Sequence, residues 1–150
     1  MFTLRAQTRE NPFSPMELAQ RRITPEGTRQ RLACGALLSM VCLSGARLVG
    51  FCSGAPRSGE ILVIAVLPQF EGRGIGRTLL ERMAAALAMA GCTRVWLAAA
   101  PDPQGRAHGF YRHLGWRPTG ARDAGGDEVL VLRNAPRAQA QTATLVGPAA

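Results

Sequence analysis

The 150 residues carry 18 basic and 10 acidic side chains, a formal net charge of +8, with 47 % hydrophobic and 19 % charged residues. This composition suits one globular domain with its own core and excludes a disordered chain. Every basic residue is arginine, the arginines are scattered, and aromatic residues make up only 5 %; the charge favours an anionic ligand, while a nucleic-acid partner is not expected.

The opening stretch, MFTLRAQTRENPFSP, has neither an apolar run nor a cleavage site, and no segment reaches the apolar length of a membrane span. No membrane partner is expected, and the cytoplasm is the expected location. In SPMELAQRRI, Ser14 stands as an N-cap with Pro15 at the first helical position and Glu17 three residues after the cap. TPEGTRQRLAC repeats the pattern with Thr24 and Pro25, weakened by Gly27. From Ala36 the texture changes: ALLSMVCLSGARLVGFCSG reads as two strands joined at Ser44-Gly45. EILVIAVLP, closed by Pro68, is a continuous apolar run suited to a central strand buried on both faces.

A glycine-rich stretch, EGRGIG, follows, and then a helix from about Gly76 to Ala90. Leu79, Met83 and Leu87 form its apolar stripe with Leu80 and Ala84 beside them, and Gly91 ends it. RVWLAAA is a further strand. In PDPQGRAHGFYRHLGW, Asp102 is the expected N-cap, Pro103 follows it, and Gly115 terminates the helix. Trp116 to Thr119 and Asp127 to Arg133 read as a closing pair of strands. The order implies an α/β fold, mixed α+β, with a central mixed sheet flanked by helices. One domain is expected over 1–133, with a helical part at 1–35, a core at 36–133 and a flexible tail at 134–150.

Cys34, Cys42, Cys52 and Cys92 show no CxxC spacing, and His108 and His113 complete no zinc pattern with them. The cysteines read as small buried hydrophobes, and no metal is expected.

A strand that runs through glycines into a helix builds an anion site, because the first helical amides lack internal partners and sit at the positive end of the helix dipole. Glycines let successive N–H groups converge on a phosphate or pyrophosphate. A chain without lysine cannot supply GxxxxGK[ST], and GxGxxG fails because Arg77 and Leu79 stand where its third glycine would fall.

VLPQFEGRGIGRTLL resembles the acetyl-CoA loop of the GNAT superfamily of N-acyltransferases, and AHGFYRHLGW resembles the tyrosine-bearing helix of the same family. The two occur in the family's order with one strand between them, and the likeness covers about Ala36 to Arg133. It implies a mostly antiparallel mixed sheet, splayed where acetyl-CoA binds. It further implies that Glu71, Gly72, Arg73, Gly74, Ile75, Gly76, Arg77 and Thr78 cradle the pyrophosphate, and that the main chain of Ile64, Ala65 and Val66 runs beside the pantetheine. Tyr111 takes the position of the acid that protonates the departing thiolate, and Glu60 that of a general base. In three places the chain departs from the family. Glu71 stands where Gln or Arg is usual, Gln104 where an Asn often precedes the second helix, and only FTLRAQ is available for the first strand.

The expected reaction is direct transfer of an acetyl group from acetyl-CoA to a primary amine of a small molecule or peptide. Glu60, directly or through water, would take the amine proton, a free amide near Val66 would meet the oxyanion, and Tyr111 would act as acid. Two rivals remain at this level: a non-catalytic acyl-CoA sensor, and a basic domain that binds RNA. Both a monomer and a homodimer fit.

Overall fold

The structure, a computed structural model, describes residues 1–9 and 12–132. Three short helices open it: α1 (Phe2–Arg5), α2 (Pro15–Gln20) and α3 (Pro25–Ala33). Strands β1 (Leu38–Ser44), β2 (Arg47–Ala55) and β3 (Glu60–Val66) follow, then α4 (Ile75–Met89), β4 (Trp96–Ala99), α5 (Arg106–His113), β5 (Trp116–Arg122) and β6 (Glu128–Leu132). The described strands form one sheet in the order β1-β2-β3-β4-β6-β5. Every neighbouring pair is antiparallel except β3 with β4. The tail expected at 134–150, and Arg133 at the end of the last expected strand, lie outside the described residues.

Local signals explain the helices. Ser14 forms a reciprocal capping box with Glu17: the Glu17 N–H donates to the Ser14 hydroxyl at 3.2 Å, and the Ser14 N–H donates to the Glu17 carboxylate at 2.7 Å. Gly27 is tolerated in α3 because it sits in the first turn, where its N–H donates to the Thr24 hydroxyl at 3.1 Å. The stripe expected on α4 is buried as a set, Leu79, Leu80, Met83, Ala84 and Leu87. It packs with Cys52, Ile61, Leu97, Trp116 and Leu130 into the larger core cluster. A smaller cluster joins Leu4 of α1 to Val49, Phe51, Ala65 and Leu67 on the opposite face of β2 and β3.

Four expectations change. FTLRAQ is not a strand: Phe2–Arg5 is helical, and Leu4 anchors it to the sheet face, so β1 is an outer edge, with Val41 and Leu43 exposed. Asp102 does not cap α5. Its carboxylate accepts from the Gln104 N–H at 2.9 Å and its carbonyl from the Gly105 N–H at 3.0 Å, which closes a tight turn, and α5 starts after Gly105. The β3 strand is not buried throughout, since Leu62 is 38 % exposed. Among the cysteines only Cys52 is fully buried; Cys42 and Cys92 are half-buried and Cys34 is exposed.

The turn into β3 fixes the way the central strands meet. Gly59 adopts φ +73°, and a Cβ there would lie 2.0 Å from the Arg94 carbonyl oxygen. Its own carbonyl accepts from the Trp96 N–H at 3.0 Å, and the Trp96 indole N–H donates to the Ser58 carbonyl at 3.0 Å. Gly59→Ala should cost about 3 kcal/mol through backbone strain and forced separation. Thermal melting followed by far-UV circular dichroism should record a fall in Tm of roughly 10 °C for a chain of this size. An unchanged Tm would mean that the contact with Arg94 is slack.

Candidate active site

Strands β3 and β4 are paired in register only at Glu60 and Trp96. Beyond that point β3 follows β2 and β4 follows β6, each by an antiparallel ladder. The β3 ladder also contains a bulge, because Ser53 faces Val63 while Gly54 faces Ile61, which leaves Leu62 as the extra residue. Bulges bend and twist the strand that carries them. A wedge opens between the two strands, lined by Leu62, Ile64 and Ala65 on one wall and Ala98, Ala99 and Ala100 on the other.

The backbone of β3 offers hydrogen-bonding groups to this wedge. The Leu67 N–H donates to the Val49 carbonyl of β2 at 2.9 Å. The two-residue period of a strand then turns the main-chain groups of Ile64 and Val66 the other way, toward the gap. The sequence-predicted free amide near Val66 therefore lies on the open side.

At the wide end of the wedge stands the glycine loop. Gly72 and Gly74 have φ of +74° and +78°, with open space where a Cβ would project. Gly74 is the N-cap of α4, no side chain caps that helix, and the first intrahelical bond is from the Thr78 N–H to the Gly74 carbonyl at 3.0 Å. The amides of Ile75, Gly76 and Arg77 thus precede any intrahelical donor and face the loop at the positive end of a 15-residue helix. A cavity of about 620 Å³ joins this loop to β3 and α5, within the usual ~300–1,000 Å³ of ligand sites.

Of the expected binding residues, Ile64, Ala65, Val66, Glu71, Gly72 and Gly74 line that cavity, as do Ile75, Gly76 and Arg77. Arg73 and Thr78 do not; they border a neighbouring hollow beside β1, and the Arg73 guanidinium lies 5.0 Å from the Phe70 ring centre. Tyr111 lines both the cavity and the wedge. Its ring is held edge-on between Phe110 and Trp116, at centroid distances of 5.2 and 6.3 Å. The helix that carries it is tied to β6 by Arg112 and Glu128, 2.6 Å apart and both half-buried.

Three features escaped the sequence because they arise from contacts distant along the chain. Arg106 bonds Glu71 at 2.5 Å and Arg9 lies 3.6 Å from the same carboxylate. The acidic residue at the loop is thus flanked by two cations, which offset its negative charge. Gln104 does not line the cavity; Arg106 and Ala107, just after it, do. Thr8 and Arg5 from the N-terminal segment reach the wedge.

Glu60 stands apart. It opens β3 two residues before the bulge, about 7 Å along the strand from Leu62, and it lines neither the cavity nor the wedge. Desolvation, with the Asp123 charge adding to it, pushes its carboxyl above the usual range. The Cys52 thiol is pushed up to about 12 by burial, which makes it inert as a nucleophile. Among the described residues no group of three His, Cys, Asp or Glu could hold a metal ion, and no helix is long and apolar enough to cross a membrane.

Residues 4–116 match the family model described as Acetyltransferase (GNAT) family. The chain belongs to the GNAT acetyltransferases. The fold agrees with solved GNAT structures. Similar to it are the PaiA N-acetyltransferase of Thermoplasma acidophilum in complex with coenzyme A (TM-score 0.66, 17 % identity, 78 % of this chain and 73 % of that one) and the ribosomal-protein-S18-alanine N-acetyltransferase of Escherichia coli (0.59, 20 %, 87 % and 81 %). A GNAT acetyltransferase of Elizabethkingia anophelis with acetyl-CoA bound is similar too (0.56, 18 %, 73 % and 83 %).

A carboxyl with a raised pKa binds its proton more tightly in the folded chain. Glu60 therefore favours folding below the ordinary carboxylate range and loses that contribution as pH rises through its raised value. Glu60→Gln should accordingly melt above the parent near about pH 7.5, with the gap closing toward about pH 4. Paired melts across that range check it, and a gap that grows on acidification contradicts the assigned direction.

Proposed function

We propose that a single domain over 1–133 uses acetyl-CoA as co-substrate and transfers its acetyl group directly to a primary amine. One observation carries the reading: a 620 Å³ cavity continuous from the glycine loop to Tyr111 along the open edge of β3. Its parts fit such a ligand. Side-chain-free positions at Gly72 and Gly74 let a pyrophosphate approach the amides at the start of α4. Arg77, with the Arg106–Glu71–Arg9 group, borders the same mouth, and Arg73 and Thr78 flank the loop from outside. Peptide groups of Ile64 and Val66 suit the amides of an extended pantetheine, as an added strand would.

The chemistry follows from where these groups lie. The acceptor nitrogen attacks the thioester carbon, the N–C bond forms, and the C–S bond breaks. A main-chain N–H of β3 facing the wedge meets the oxyanion as it develops. Tyr111, at the junction of cavity and wedge, donates its proton to the leaving sulfur, giving the free thiol. The proton lost by the amine passes to solvent or, through water, to Glu60, whose separation from the wedge leaves room for a relay.

Two variants test the reading. Gly74→Glu fills the anion space with a carboxylate, and calorimetry should detect no acetyl-CoA binding at ~1 mM while circular dichroism stays native. Retained affinity would remove the loop from the site. Tyr111→Phe should lower kcat about 100-fold with acetyl-CoA affinity unchanged; full activity would leave Tyr111 a packing residue.

A further inference from the structure

The space beyond Tyr111 has a chemical character of its own. The wedge, about 110 Å³, is bordered by Arg5, Thr8, Leu62 and Val63 as well as Tyr111. Arg5, Leu62 and Val63 also border a second chamber of about 190 Å³ beneath the N-terminal helices. The two adjoin across these three shared residues, with Tyr111 on the wedge side. The outer one is walled chiefly by Leu18, Ile23, Leu37 and Phe51, with Arg31 at its rim. Among the described residues, neither is lined by a carboxylate.

Arg5 is the charged residue the two share. It is half-buried, and among the described residues it has no acidic partner. Its guanidinium lies 4.8 Å from the Phe13 ring centre, with Arg21 on that ring at 4.4 Å. Desolvation, and then the Arg21 charge, lower its pKa. A cation drawn partly out of water beside a second cation is unfavourable unless an anion joins it.

We infer that the acceptor is a small α-amino acid with an apolar side chain, its carboxylate held by Arg5, its amine turned toward Tyr111 and its side chain in the outer chamber. The inference rests on the acetyl-transfer reading above and names the acceptor class for it. The volumes agree, since both rooms fall below the ~300–1,000 Å³ of drug-sized sites. The charge opposes a polycationic acceptor, which would meet Arg5 and Arg31 and, among the described lining residues, no carboxylate.

The test compares leucine, leucinamide and isoamylamine in an acetyl-CoA thiol-release assay. Leucine should exceed both others in kcat/KM by ~10- to 100-fold, the range of one charge-assisted contact. Arg5→Gln should erase that preference through KM and leave acetyl-CoA binding intact; Arg5→Lys should restore part of it. If Arg5→Gln fails to fold, the three amines on the unmodified protein still decide. Equal rates for all three overturn the carboxylate site while acetyl transfer stands. If acetyl-CoA binds but no amine reacts, the acetyl-transfer reading fails; calorimetry of leucine on the coenzyme A complex then decides the site. Binding lost in Arg5→Gln upholds it, and absent binding ends it. Leucyl-glycine separates a free amino acid from a peptide N-terminus: slower turnover than leucine assigns the free acid, and equal turnover overturns that assignment.

Discussion

The site depends on two central strands being joined at one end only. Gly59, Glu60 and Trp96 hold β3 against β4, and the Trp96 indole adds a second bond across the junction. Past that point each strand keeps its antiparallel partner, and antiparallel ladders are slightly the more stable per residue. The parallel pair is the one that opens. Its opening leaves peptide groups of β3 without strand partners, and exposed peptide groups require water or a ligand. The cleft and its hydrogen-bonding edge therefore have a single origin. The absence of a Cβ at Gly59, where one would meet the Arg94 carbonyl, is what allows the junction to be so tight.

At the other end of the cleft the balance is electrostatic. Helix α4 begins with amides and no capping side chain, so its positive end is presented rather than neutralised. Arg77 is shared with Glu81 one turn on, at 2.8 Å, and Glu71 is shared between Arg106 and Arg9. Each acidic residue near the mouth is thus engaged by arginine. The region stays cationic even though the position usual for Gln or Arg holds a carboxylate.

Much of this was legible in the chain itself. The stripe on α4 and the caps at Ser14 and Thr24 are local signals, so the folded state keeps them. The two motifs, EGRGIGRTLL and AHGFYRHLGW, resemble the GNAT pattern closely enough to anticipate the splayed sheet and to bring Tyr111 to the cavity. Most of what failed was non-local. FTLRAQ became a helix because Leu4 finds a pocket on the β2–β3 face, which no propensity records. The apolar run in β3 was read as doubly buried, whereas one part of it faces a cleft. Asp102 carries a cap residue's chemistry, but Pro103 and Gly105 shape a turn ahead of the helix. The pairing of Arg106 with Glu71 spans 35 residues and has no sequence signal.

Among the described residues the side-chain cations that line the cleft are arginine guanidinium groups, and the chain contains no lysine. A guanidinium stays protonated at any physiological pH and keeps no free lone pair to attack a carbonyl. An ε-amine lodged next to an activated acyl donor would be a competing nucleophile and, once acylated, a lost charge. Here the groups that would draw in an anionic guest cannot be spent by its chemistry, so successive turnovers would leave the electrostatics of the mouth unaltered.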